Sequence, residues 1–508
     1  MRRQKLLIGT CILASANFIT KFMGFFYRIF MSKFIGSEGM GLYQLILPLY
    51  TLSWSITAAG FTTTISRLTA AEHIKGETGT IGRIVKQSIM MCCGISILFS
   101  ILLFFFSDEI SIHILQEPRT ALSLRLLAFA IPFMAVGSCL RGFFMGLQHM
   151  SIPAISQVLE QTLRIGAIFL LSGFFVPKGL EYACLAAVCG IVLGEFGSFL
   201  YTFFGYFYFK RRHKFIKRPS LSSAACTAMI LAMVIPLATT RIMDSLLGAV
   251  ENILIPHKLE DFGYTSTQAL SAYGELTGMV MPLLMLPSAV LLAFSVSLVP
   301  EISEACAVSQ HSRIQRTVSV TLLFTSILGI GSACVFAVFP MEICYIVYNQ
   351  SNLGKLLFPL AFLCPFIYGQ TTLSGLLNGF GEQFFLFWSH ILSSLLSIAF
   401  VWFGVPYYGL TAYYAGWFFS LVVVTILSLQ KLKQRTGVSF PFFDCFAKPL
   451  LAGGAAALLT RYAIQVSESS KLLFLLSFMG MGILYLFFLY LLGCFSKENI
   501  QTLLGKSK

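Results

Sequence analysis

Apolar runs of about twenty residues recur from one end of this chain to the other. Twenty residues of α-helix rise about 30 Å, the thickness of the hydrocarbon core of a bilayer. The composition agrees, with 57% of 508 residues hydrophobic and only 11% charged. A soluble protein carries about 25% charged residues, and no soluble core could hide this much apolar surface. The runs are long and lack the period-two alternation of barrel strands, so the expected fold is all-α. We expect a polytopic membrane protein with about fourteen transmembrane helices, near 6–30, 40–66, 84–106, 121–147, 152–174, 180–208, 221–248, 268–299, 317–340, 355–380, 384–404, 407–430, 446–465 and 471–494. The connections are mostly short, so no soluble domain fits between them.

The first run also has the outline of a secretory signal. "MRRQKLLIGTCILASA" has a basic start, an apolar stretch and Ala14-Ser15-Ala16. The apolar run continues past Ala16, so a retained span is expected. An even number of spans puts both termini on one side. That side holds Arg2, Arg3 and Lys5, then Arg67, Lys75, Arg83 and Lys86, and the stretch "KRRHKFIKR" from Lys210 to Arg218. The opposite loops are poorer in Lys and Arg, so both termini are expected in the cytoplasm and the protein in the cell membrane. The same loops account for the net charge of +14. A basic anchor beside anionic lipid explains them better than nucleic acid does, and no nucleic-acid partner is expected.

Five basic residues fall within the runs: Lys21, Arg28, Arg141, Arg164 and Arg241. Glu160, Glu195, Asp244 and Glu275 lie within or at the edges of runs. A charge at mid-membrane costs about 2.5–3.5 kcal/mol on insertion scales, so several of them imply a wet or polar interior. Lys21 lies about 22 Å into its helix and is hard to explain otherwise. Arg28 follows seven residues later, almost two turns on, so both cations share one face. Arg28 and Arg141 lie near span ends, where snorkelling to the interface is the simpler reading. Glu160 and Arg164 are spaced i,i+4, and Arg241 and Asp244 i,i+3, so each pair is either structural or part of a cavity. The candidate substrate-binding residues are Lys21, Arg28, Arg164 and Arg241. Glu160, Glu195, Asp244 and Glu275 are candidate ion-coupling groups or charge partners.

The chain repeats itself. "LAFAIPFMAVGSCLRGFFMGLQ" (Leu127–Gln148) aligns without a gap on "LAFLCPFIYGQTTLSGLLNGFG" (Leu360–Gly381), at an offset of 233 residues. Pro132 falls on Pro365, Gly142 on Gly375 and Gly146 on Gly379; at the same offset Gly41 falls on Gly274 and Phe61 on Phe294. A shift of six spans keeps the orientation, so this is a parallel repeat about the membrane normal. Two six-helix lobes are expected, 1–215 and 216–437, followed by a helix pair and tail over 438–508. Pro132 and Pro365 each remove one helical hydrogen bond at equivalent places. They are candidate hinges for a rocking lobe, or static kinks.

"GSEGMGLYQL" (Gly36–Leu45), "AYGELTGMVMPLLMLPS" (Ala272–Ser288) and "LVPEISEA" (Leu298–Ala305) resemble the stage V sporulation protein B group. That group belongs to the multidrug/oligosaccharidyl-lipid/polysaccharide exporter superfamily, with the MurJ lipid II flippases. The resemblance covers essentially the whole chain. It implies fourteen helices, two lobes around a cavity, and a final helix pair forming a groove for a lipid tail. It also implies a polyprenyl-diphosphate-linked sugar as substrate, moved outward for wall or spore-cortex synthesis, with membrane lipids and cell-wall synthesis enzymes as partners. Lys21 falls where MurJ-like proteins carry a basic residue in the first helix. The second helix has no Arg or Lys between Leu42 and Ser66, and Glu275 is the only interior charge of the eighth. A MurJ-like arginine cluster therefore does not carry over whole.

Cations facing a wet cavity suit a diphosphate, which they bind by charge-assisted hydrogen bonds. No GxxxxGK[ST] or HExxH occurs, and the thirteen Cys form no CxxC pair. No cofactor or metal is expected, and no enzymatic activity. Two further functions are weighed: a cation-coupled multidrug or small-molecule exporter of the same superfamily, and a membrane-embedded transferase on polyprenyl sugars. The transferase needs carboxylates or His at one membrane face, and the first outer loop offers only Glu38.

Overall fold

Gly36 decides how the chain begins. The first helix, α1 (Arg2–Trp54), is 53 residues long, but Gly36 has φ 66° and ψ −172° inside it. A side chain is strained at that φ, and glycine is not. A straight helix of that length would rise about 80 Å, far more than a bilayer needs. The break turns one run into two consecutive segments. Just past it, Glu38 accepts from Arg119 Nη1 at 2.8 Å, and Arg119 Nε is held by Glu117 at 2.7 Å. The bend is thereby tied to the connection that precedes the fourth expected span.

A computed structural model of the chain describes residues 2–213, 221–292, 310–438, 442–466 and 471–494, together with Leu298 and Ile302. The lobe boundary expected at 215, Lys214 to Arg218 of the basic stretch, the tail beyond 494 and most of the Leu298–Ala305 motif lie outside these residues. Among the described residues there is no strand. Ten helices are long and apolar enough to cross a membrane, or eleven with one bent pair counted as a span. Three things separate that from fourteen. The first two runs are continuous across Gly36, the eighth is divided and partly undescribed, and the last apolar stretch, Ser477–Leu491, is short.

The chain divides into two compact units, Met1–Gly278 and Met279–Lys508. The first holds α1, α2 (Gly60–Lys75), α3 (Thr78–Phe105), α4 (Ala121–Gly146), α5 (Ser151–Phe175), α6 (Leu180–His213), α7 (Ser223–Asp261) and α8 (Ser266–Tyr273). Thus α7 clusters with the residues before it, although the repeat assigns it to a second lobe. The reason is packing: Cys226, Ile230 and Val234 of α7 complete a core with Phe61, Ile65, Ile84, Cys139 and Phe143.

One crossing in this unit, of α6 on α5, is closer at two points than side chains allow. A Cβ on Gly190 would stand 2.9 Å from the Arg164 carbonyl oxygen, and one on Gly194 2.8 Å from that of Glu160. The bare face of α6 therefore lets the backbone of α5 in at the level of its two charged residues. Between helices in lipid, such close approach supplies the van der Waals contact that drives association.

The second unit holds α9 (Met281–Met285), α10 (His311–Val338), α11 (Pro340–Tyr348), α12 (Gly354–Ala361), α13 (Cys364–Gly379), α14 (Gln383–Tyr408), α15 (Leu410–Thr436), α16 (Lys448–Val466) and α17 (Lys471–Leu491). Its core joins Ile314, Val318 and Leu322 of α10 to Leu373, Leu376 and Leu377 of α13. Tyr368 donates to the Leu284 carbonyl at 2.7 Å, and Tyr485 to the Ile327 carbonyl at 2.8 Å. Between α13 and α14, Glu382 faces Lys431 Nζ at 3.3 Å and also pairs with Arg435.

Candidate functional site: a polar pocket in the first unit

Polar side chains from four helices meet in a cavity of about 460 Å³ within the first unit. Asn17, Thr20 and Lys21 come from the first half of α1, and Trp54 from its end. Thr62 of α2, Ser138 and Arg141 of α4, and Gln157, Glu160 and Gln161 of α5 complete the polar lining. The helical spacings explain the convergence. Asn17 and Lys21, and likewise Gln157 and Gln161, are i,i+4 neighbours on one face.

The charges are not balanced. Glu160 accepts from Arg164 Nη2 at 2.8 Å, one turn along α5. Arg141 donates to Ser138 Oγ at 2.8 Å and Ser198 Oγ at 3.0 Å, which are neutral partners. Among the described residues no carboxylate lies within ion-pair distance of Lys21 or Arg141, although the buried Glu195 of α6 attracts Arg141 from behind. The lining therefore presents two cations against one carboxylate that already has its own arginine. A cation away from water is stable only with an opposing charge or a polar surround, so this pocket favours an anion. The amides of Asn17, Gln157 and Gln161 offer both donors and acceptors, and Trp54 adds an apolar face.

Behind the pocket, Glu195 of α6 is only 3% exposed. Tyr50 donates to its Oε1, while Oε2 has no partner among the described residues. A buried carboxylate oxygen left without a donor is costly.

The sequence candidates separate accordingly. Lys21 and Glu160 line the pocket, and Arg164 stands behind Glu160. Arg28 shares a helix face with Lys21 but not the pocket lining. Its Nη1 donates to the Thr277 carbonyl at 3.3 Å, as does Gln44 Nε2 at 3.2 Å. Thr277 lies in the wide turn Gly274–Val280, and widened helical turns free carbonyls for side chains. Glu275 is half-buried in the same turn, outside the pocket lining. Arg241 and Asp244 are both exposed on α7 and form no ion pair with each other among the described residues. Arg141, for which snorkelling was the simpler reading, is the arginine that reaches the pocket. Its helix-mate Ser138 and Ser198 on α6 were the missed signals, since a guanidinium held inward needs acceptors for its N–H groups.

The two prolines are not in equivalent settings. Pro132 lies inside the helix α4. Pro365 lies in the first turn of α13, just after a bend of 56° that separates Ser351–Ala361 from Cys364–Gly379.

Comparison with known proteins places this architecture. Residues 6–306 match the family described as "Polysaccharide biosynthesis protein". The chain is 32% identical to Stage V sporulation protein B of Bacillus subtilis over 355 residues, which are 69% of this chain and 68% of that protein. It is 26% identical to the Lipid II flippase MurJ of the same organism over 341 residues, 63% of this chain and 61% of that one. A structure of the Lipid II flippase MurJ in an inward closed conformation superposes with a TM-score of 0.70 at 14% identity, over 94% of this chain and 98% of that one. An inward-facing multidrug resistance MATE transporter of the MOP superfamily gives 0.67 at 13% identity, over 84% and 98%. The MurJ relative and both solved structures are described as flippases or transporters, not as enzymes.

Proposed function

Because the chain belongs to the polysaccharide biosynthesis protein family, we propose that it flips a polyprenyl-diphosphate-linked sugar outward across the cytoplasmic membrane. The observation that carries this reading is the charge imbalance of the polar pocket. Lys21 and Arg141 form no ion pair among the described residues, in a cavity that also offers amides and an indole. A diphosphate supplies the missing negative charge, and a sugar uses hydroxyl-bonding amides and an aromatic face. A head of that size and polarity does not cross about 30 Å of hydrocarbon unaided. Alternating access by two lobes, with both termini cytoplasmic, is the cycle we infer, and the 233-residue repeat supports it. The likeness to Stage V sporulation protein B supports a role in wall or spore-cortex synthesis.

One observation favours a second reading, a cation-coupled exporter. Glu195 is buried with an oxygen unpartnered among the described residues, as a proton or cation acceptor would be. Purified protein in liposomes, with a labelled polyprenyl-diphosphate sugar and a reporter of its sidedness, separates the readings. Movement of the intact lipid without an imposed gradient supports the flippase. No movement of the lipid, with gradient-driven efflux of small cations or drugs, overturns it in favour of the exporter.

A further inference from the structure

A second concavity of about 540 Å³ lies along one face of α6, apart from the polar pocket. Its lining follows the helical repeat: Tyr201, Phe204, Gly205, Tyr208 and Arg212 succeed one another at intervals of three, one, three and four residues. Gly205 contributes no side chain, so the groove is deepest there, with Ile152 of α5 behind it; a Cβ at Gly205 would stand 3.7 Å from that isoleucine. Phe204 is 66% and Tyr208 68% exposed, so this face looks outward from the unit. At one end His149 closes the groove by packing on Phe209, with ring centroids 5.3 Å apart.

We propose that this groove holds one anionic phospholipid, with an acyl chain along the aromatic face and its phosphodiester on Arg212. Three features favour that occupant. From Tyr201 to Arg212 the helix rises about 16 Å, close to half of a bilayer core, so the groove is one leaflet deep. Tyr208 one turn before Arg212 is the aromatic type that sits at the headgroup level, and Phe204 suits the acyl region below it. The charge also fits. Arg212 is the arginine of the lining, and Lys210 and Arg211 just before it are not part of that lining. One guanidinium matches a singly charged phosphodiester better than a diphosphate.

The test uses the full-length protein in nanodiscs of phosphatidylcholine containing a small fraction of photoreactive phosphatidylglycerol. The label is expected on the peptide carrying Tyr201 to Arg212. Arg212→Gln and Gly205→Leu are each expected to lower it at least fivefold, whereas Arg212→Lys retains it. A photoreactive phosphatidylcholine of the same chain should label at least fivefold less. Equal labelling by the two probes, or undiminished labelling of Arg212→Gln, overturns the proposal. So does displacement of the probe by a polyprenyl diphosphate at lower concentration than by phosphatidylglycerol, which would assign the groove to a lipid carrier. Melting temperatures of the variants are measured alongside; if Gly205→Leu does not fold, the contrast of Arg212→Gln with Arg212→Lys decides.

Discussion

Gly41 and Gly274 lie back to back. A Cβ on Gly274 would stand 3.0 Å from the Gly41 Cα and would run into the Ser37 carbonyl oxygen. A Cβ on Gly41 would run into the carbonyl oxygen of Leu270. Ser37 and Leu270 are themselves 233 residues apart, as are Gly41 and Gly274 and the hydrogen-bonded pair Gln44 and Thr277. Each helix thus offers the other the same carbonyl, one turn before the same glycine. That reciprocity is the signature of an isologous, two-fold-like contact. Gly41→Ala and Gly274→Ala should each destabilise the purified protein by about 1–3 kcal/mol, the usual range for overpacking. Because both act on one contact, the double variant should lose less than the sum of the two. Thermal unfolding in detergent measures both effects, and strict additivity would separate the two glycines.

Lys21 carries the test of the polar pocket. Lys21→Ala and Arg141→Ala should each lower transport at least tenfold at normal abundance in the membrane, because each removes a pocket cation that forms no ion pair among the described residues. Lys21→Arg should keep most activity, since both cations bind phosphate. Lys21→Glu should be worst, because it repels the anion. Arg241→Ala should have a much smaller effect, given that Arg241 is exposed on α7 and outside the pocket lining. Transport assays normalised to protein in the membrane give the ranking, and normal transport by Lys21→Glu would remove the cationic pocket from the mechanism.

The helical membrane class was legible because composition and run length leave no alternative, and Lys21 because depth makes a lone cation expensive. The internal repeat is read from a string of Pro and Gly matches, while the two compact units divide at Gly278. What was not legible depended on which helix faces which. Arg28 and Lys21 share a helix face, yet a freed carbonyl at Thr277 takes Arg28 and the pocket takes Lys21. Arg141 looked like a snorkelling end residue, but Ser198 on α6 turns it inward. Arg241 and Asp244 have the spacing of a pair, and one-turn spacing permits an ion pair without requiring it. The near-continuity of α1 across Gly36 was also hidden, since a glycine at positive φ reads in sequence as the end of one helix and the start of another.

Tyr50 and Glu195 give a stability prediction. Tyr50 donates to the buried carboxylate, whose other oxygen has no partner among the described residues. Tyr50→Phe should cost about 1–3 kcal/mol, because it leaves a buried acceptor unpaired. Tyr50→Phe together with Glu195→Leu should recover part of that loss, since removing both polar partners abolishes the desolvation penalty. Thermal unfolding of the single and double variants decides; a double variant no more stable than Tyr50→Phe would mean that Glu195 is satisfied by other groups.

The prolines give the last prediction. The repeat places Pro132 and Pro365 in register, so sequence alone expects them to act alike. The structure makes them unequal, because Pro132 sits inside α4 while Pro365 follows a 56° bend. A proline inside a helix costs about 3 kcal/mol relative to alanine, whereas one in the first turn costs little, since the missing N–H has no helical partner there. Pro132→Ala should therefore raise the melting temperature, and Pro365→Ala should leave it nearly unchanged. If the bend is a hinge of the transport cycle, Pro365→Ala should still slow transport, because alanine lets α12 and α13 join into one straighter helix. The decisive comparison is transport rate against melting temperature for both variants. Slow transport with unchanged stability in Pro365→Ala identifies a hinge. Normal transport in Pro365→Ala makes the bend a fixed feature of packing, whatever Pro132→Ala does.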